Sequence, residues 1–178
     1  MAGTIAKRTS IHDCTIYPAN EGIPEQVQAA DGVEITAPAL EFETTDIQQM
    51  GVFSMPDFTR LANLELSANN VNASDPNVAR LCVMGKVAEW VVRWYNTVVE
   101  PGNISRLVSY TIYAKGYIHT VPGTDVSPGS EGTGTIAMNC LSIKKTDSDG
   151  NVYYDVDRMA KRLVINGVDL RAQANALI

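Results

Sequence analysis

Apolar and polar side chains alternate over two long stretches of this chain, and the alternation predicts paired strands. Over residues 108–119, Val108, Tyr110, Ile112, Ala114 and Ile118 interleave with Ser109, Thr111, Lys115 and His119, the period of a strand with one wet face. The preceding residues 86–99 fit two periods. Val87, Trp90, Val91 and Trp94 make a helical stripe, whereas Trp90, Val92, Trp94 and Val98 make one face of a strand with Glu89, Arg93 and Thr97 on the other. Five valines, two tryptophans and a tyrosine in that stretch favour the strand. Pro101-Gly102-Asn103 supplies a turn, so residues 86–119 predict one long hairpin.

Shorter elements flank it. Residues 1–22 show no clear period and carry Pro18, Asn20 and Gly22, which predicts an N-terminal arm outside the core. Val33-Glu34-Ile35-Thr36 and Leu40-Glu41-Phe42-Glu43 alternate, and Pro38 between them marks an edge or a bent strand. Residues 44–57 hold Ile47, Met50, Val52, Phe53 and Met55 without a steady period, broken by Gly51 and Pro56. An apolar loop of this kind either folds over its own core or forms a patch that meets another protein. Leu61, Leu64 and Leu66 lead into Ser67-Ala68-Asn69-Asn70, read as a strand ending in a turn. Ser74-Asp75-Pro76 then offers a cap and a first-turn proline for a short helix with Val78, Leu81 and Cys82 on one face, closed at Gly85. Residues 121–134, rich in Gly, Pro, Ser and Thr, predict a mobile connection. A strand at 135–145, a tight turn at Asp149-Gly150 and a return strand at 152–156 follow. Leu163-Val164-Ile165 closes the sheet, Asn166-Gly167 turns the chain back, and residues 170–178 leave room for a short terminal helix.

Composition narrows the function classes. The 178 residues are 45% hydrophobic and 19% charged, a globular balance long enough to bury a core without metal or disulfide support. A formal net charge of −6 opposes a surface built to grip nucleic acid, which pairs phosphates with Lys and Arg. No stretch approaches the ~20 apolar residues of a membrane helix, and the start lacks a signal-peptide core. The expectation is no membrane association and synthesis in the cytoplasm. The three cysteines Cys14, Cys82 and Cys140 are widely spaced and odd in number. They read as packed thiols, or alternatively as disulfides between neighbouring subunits once the chain leaves the reducing cytosol.

Candidate chemistry is sparse. Asp147-Ser148-Asp149-Gly150-Asn151 invites a calcium reading, but the sixth and twelfth positions counted from Asp147 are Val152 and Arg158 where an EF-hand needs Gly and Glu. It is a hairpin turn. His12-Asp13-Cys14 lacks a second Cys pair or a spaced His pair to complete a metal site, and His119 lies far along the chain. Gly129-Ser130-Glu131-Gly132-Thr133-Gly134 does not sit between a strand and a helix, as a dinucleotide fingerprint must. Trp90, Trp94 and Tyr95 suit core packing better than base stacking, with Glu89 and Glu100 beside them and only Arg93 for phosphate. No catalytic, cofactor or metal residues are assigned, and no enzyme is expected.

The order of these elements, with Leu163-Val164-Ile165-Asn166-Gly167-Val168-Asp169-Leu170 closing the chain after the Asp149-Gly150 turn, resembles the major tail tube protein of contractile-tailed bacteriophages and R-type tailocins. Ile23-Pro24-Glu25 stands where that family carries a Leu-Pro-Lys-type step, Met50-Gly51 near its glycine-methionine loop, and the helix after Asp75-Pro76 where it has its single helix. The resemblance covers residues 23–178 and implies a mainly β domain, a barrel or sandwich with long hairpins and one short α-helix, preceded by the arm at 1–22. It implies a structural protein whose hexameric rings stack into the inner tube of a virion tail, a conduit for genome ejection, assembled in the host cytoplasm. Its partners would be further copies of itself, the tail sheath, tape measure and baseplate proteins, with DNA passing unbound and no cofactor. It favours Ile47, Met50, Val52, Phe53 and Met55 as a contact between subunits. The arm and the 121–134 connection look unlike the family's short forms. Two other classes stay open: a cytoplasmic β-sandwich module binding a small ligand or peptide, and a hydrolase built from dispersed Asp and Glu.

Overall fold

In β8 (Arg106–Thr120), side chains at even positions from Val108 to Ile118 face inward, with Val108, Ile112, Ala114 and Ile118 buried, and those at odd positions face out. That strand lies within a sheet which, in this computed structural model, spans most of the described residues: 8–19, 30–31, 33–47, 53–99, 106–123, 128 and 132–176. Strands β1 (Arg8–Pro18), β2 (Ala30–Asp31), β3 (Glu34–Thr36), β4 (Phe42–Ile47), β5 (Phe53–Leu61) and β6 (Glu65–Asn72) precede helix α1 (Pro76–Leu81). Then come β7 (Ala88–Val99), β8, β9 (Thr133–Asp147), β10 (Val152–Asp157), β11 (Arg162–Ile165), β12 (Val168–Asp169) and a four-residue α2 (Ala172–Asn175). The protein is mainly β, as the alternation predicts. No described helix is long and apolar enough to cross a membrane.

Ten strands form one antiparallel sheet in the order β12-β11-β10-β9-β8-β7-β1-β2, with β6 branching from β9 and β3 from β6. Among the described residues it is open rather than a closed barrel, because its two ends are not paired to each other. The branch arises from the length of β9. Its first half pairs β6, from Glu65↔Asn139 to Asn72↔Thr133, and its second half pairs β10, while β8 runs along the other edge.

The predicted long hairpin is β7 and β8, in unbroken register from Ala88↔Gly116 to Val98↔Arg106. Its Pro101-Gly102-Asn103 turn lies outside the described residues. At the other end of the sheet, Asn166 and Gly167 both have positive φ, 48° and 80°, the two-residue geometry that joins twisted strands tightly. This turn adds β12 beyond β11. The core holds Ile16, Leu64, Leu66, Val71, Trp90, Val92, Ile112, Ile136, Met138 and Ile143. Asp75 caps α1 by accepting from the Asn77 amide at 2.8 Å, with Pro76 in the first turn. The indole Nε1 of buried Trp90 donates to the Leu81 carbonyl at 3.1 Å, tying the end of α1 to β7.

Several local expectations are corrected. Within the 1–22 arm, Arg8–Pro18 is strand β1, paired to β7 and carrying the fully buried Ile16. A bulge hides its period: His12 opposes Tyr95 and Thr15 opposes Arg93, so Asp13 and Cys14 together face the single Trp94. Asp13 takes φ 37°, tolerable for a short polar side chain. Ser67-Ala68-Asn69-Asn70 is no turn. Strand β6 runs through it with a register shift between Ala68 and Val71, where Asn70 adopts φ 58°. Residues 44–57 are mostly paired rather than a loop, because β4 and β5 form a separate two-stranded sheet with Thr44 opposite Pro56 and Ile47 opposite Phe53. Pro56 is admissible there since a strand with one partner has a free edge. The β9 strand starts at Thr133, before the end of the predicted connection, and half of 121–134 lies outside the described residues.

Candidate functional surfaces

Directly opposed residues of paired strands point to the same side, so the registers assign the face away from the core. Glu89, Arg93 and Thr97 of β7 lie on it, across from Lys115, Thr111 and Leu107 of β8. It continues through Ser142 and Lys144 of β9, Asp155 and Asp157 of β10, and Arg162 and Val164 of β11. Glu65 of β6 and Asp169 of β12 extend it. Charges of both signs alternate across this face. Lys115 Nζ sits 2.9 Å from Glu89, Arg162 Nη2 2.9 Å from Asp155, and His119 Nε2 3.6 Å from Glu65. The Arg93 guanidinium lies 5.3 Å from the centre of the Tyr17 ring. Acidic Glu34, Glu65, Glu89, Asp155, Asp157 and Asp169 outnumber basic Arg93, Lys115, Lys144 and Arg162, all exposed or half-buried.

The opposite, core-side face is not covered to its end. Lys145 opposes Ile112 on one side and Tyr154 on the other, so it lies on the core side. Its Nζ sits 5.4, 5.5 and 5.3 Å from the ring centres of Trp94, Tyr110 and Tyr153. Burial lowers its pKa, because charge is less favoured away from water. A recess of about 220 Å³ is lined by these four residues, Ile11 and Asn96. A second, of about 300 Å³, shares Ile11, Trp94 and Lys145 and continues past Cys14 and Glu34. Asn96 is 9% exposed and its Oδ1 has no hydrogen-bond partner, whereas Ile11 is 70% exposed.

The residues singled out in the sequence are scattered over the fold. Ile47, Phe53 and Met55 stand in the β4 and β5 backbones, and Met50 and Val52 lie outside the described residues. Cys140 is buried at 2% exposure, with its thiol pushed up to about 12 by burial. Cys14 and Cys82 are half-buried, and burial also raises Cys82. His12 stacks on Tyr95 at 5.4 Å and His119 is on β8, so the two histidines are on different strands. Among the described residues no cluster of three His, Cys, Asp or Glu is placed to hold a metal ion.

The Asp147 turn satisfies its own carboxylate. Oδ1 accepts from the Asp149 and Asn151 amides, both at 2.9 Å, and Oδ2 from Asn151 Nδ2 at 2.8 Å and the Tyr153 hydroxyl at 3.0 Å. These bonds, led by the Asn151 side chain, hold Asp147 below its ordinary pKa. Lys145 and its three rings were not found by sequence reasoning. Trp94, Tyr110 and Tyr153 come from three strands, and only the register gathers them.

The family described as phage tail tube protein FII matches residues 24–178, and the chain belongs to that family. No curated protein matches the chain. The family is a structural one, and the protein is a component of the phage tail.

Proposed function

We propose that, within the tail tube family, this chain builds the inner tube of a contractile tail. Hexameric rings of it stack inside the sheath, between baseplate and head, around the tape measure protein and later the departing genome. Assembly takes place in the host cytoplasm. The observation that carries the assembly reading is the β4–β5 hairpin, which makes no ladder with the ten-stranded sheet. A two-stranded sheet is marginal in water by itself, and this one joins Ile47 to Phe53 through a segment containing Met50 and Val52. Apolar residues carried on such a hairpin gain stability by resting on a neighbouring copy. The sheet face away from the core then lines the bore.

Two measurements test this. Negative-stain microscopy of the purified protein should show rings or tubes; a strictly monomeric species would favour a binding module instead. The double substitution Met50→Asp and Phe53→Asp should leave a folded, soluble chain that no longer polymerises. Normal tubes from that variant would remove the hairpin from the interface.

A further inference from the structure

We propose that the recess around Lys145 receives a carboxylate carried on an apolar segment of a neighbouring copy of this chain. The proposal rests on the tube reading and names one contact within it.

The recess is chemically incomplete. An ammonium carries three donors and no acceptor, and Lys145 has ring faces of Trp94, Tyr110 and Tyr153 around it. No described carboxylate lies within the 4.0 Å of an ion pair with it; Glu34 lines the larger recess without reaching that distance. An ammonium part-buried among three rings, with no counter-ion beside it, favours an anionic partner. At the rim, Ile11 opposes Asn96 on the core side of the sheet yet is 70% exposed. The occupant therefore needs an apolar body and an anionic head.

A cationic ligand does not fit. The rings that would attract it already face the Lys145 ammonium, and like charges repel. A second copy fits on charge. The chain has 20 acidic residues against 14 Lys and Arg, so a neighbour offers carboxylates in surplus. Lys145, part-buried, is a site where such a charge is worth more than on open surface.

Lys145→Met keeps the stem and removes the charge. The variant should melt at or above the wild-type temperature, because the cost of burying the ammonium is gone. Its critical concentration for tube assembly, read by sedimentation, should rise about tenfold or more, since breaking one side of a buried charge pair costs more than a tenfold step. The salt dependence of assembly should flatten as well. In parallel, Ile11→p-benzoylphenylalanine places a photo-crosslinker at the rim, and illumination of assembled particles should yield chain-to-chain dimers. A link only within one chain would show the chain's own segment filling the recess and would overturn the proposal. Wild-type tubes with Lys145→Met assembling at the same concentration and salt dependence would overturn it while leaving the tube reading standing. Wild-type protein that never assembles sinks both.

Discussion

Gly116 shows how one residue holds two long strands at their closest approach. The register between β8 and β9 slips there, from Lys115↔Ser142 to Gly116↔Cys140, so that Leu141 is the extra residue. A Cβ on Gly116 would lie 2.1 Å from the Asn139 carbonyl oxygen and 2.8 Å from its carbon. Both atoms are backbone within a ladder, and neither can swing away as a side-chain end would. Gly116→Ala must therefore push the strands apart in the middle of the sheet, near buried Ile118, Met138 and Cys140. Overpacking of ordinary cores costs about 1–3 kcal/mol, and a backbone clash belongs at or above the top of that range. Thermal unfolding should show a melting temperature lower by roughly 5–10 °C. A change within a degree would mean that the bulge absorbs the methyl. The sequence marks Gly116 only as a glycine inside an alternating run, a hint of close backbone approach that does not name the atoms it approaches.

The β9–β10 hairpin turns on the Asp147 carboxylate, and that makes the element sensitive to acid. The Asp147 pKa is depressed in the folded chain, with the Asn151 side-chain hydrogen bond as the leading cause. A depressed carboxylate stabilises the fold above its unfolded pKa of about 3.9, and the contribution is lost as pH falls through the lower folded value. Asp147→Asn removes the charge and keeps the shape. Its melting temperature should fall furthest below wild type at neutral pH, and the gap should close as the wild type is taken below the ordinary carboxylate range. A gap that is constant with pH would mean that hydrogen-bond geometry alone, without the charge, sets the turn.

The same hairpin was legible in the sequence because Asp149-Gly150 interrupts two alternating runs, and Gly150 indeed takes φ 86°. Strand β1 was not legible, since the Asp13-Cys14 bulge shifts its apolar face by one position halfway along. The Asn70 bulge disguised β6 as a turn in the same way. Alternation reports strands until an extra residue reverses its phase. Sites such as the Lys145 cluster depend on which strands become neighbours, and the period carries no information about that.

For the whole molecule, the decisive quantity is where its −6 charge is kept. The sheet face away from the core carries a small acidic excess among the described residues, with Glu89 paired to Lys115 and Asp155 to Arg162. Such a face offers a passing polyanion little net attraction. A basic bore would gain affinity with each phosphate it paired, because every contact releases condensed counterions, and the DNA would stick. A neutral or acidic bore leaves only repulsion screened beyond ~10 Å at ordinary ionic strength. The prediction is that duplex DNA does not bind the wild-type protein or its tubes at moderate salt. The variant Glu65→Lys with Glu89→Lys converts two exposed or half-buried acidic positions on this face to basic ones. It should acquire DNA binding that weakens with salt, each new phosphate contact adding about 0.9 to the slope of log affinity against log salt. Gel retardation across a salt series reads both. Tight, salt-sensitive binding by the wild type would refute a neutral or acidic bore. A variant that stays inert while assembling normally would show that this face looks outward, toward the sheath, and that the bore is lined by some other surface.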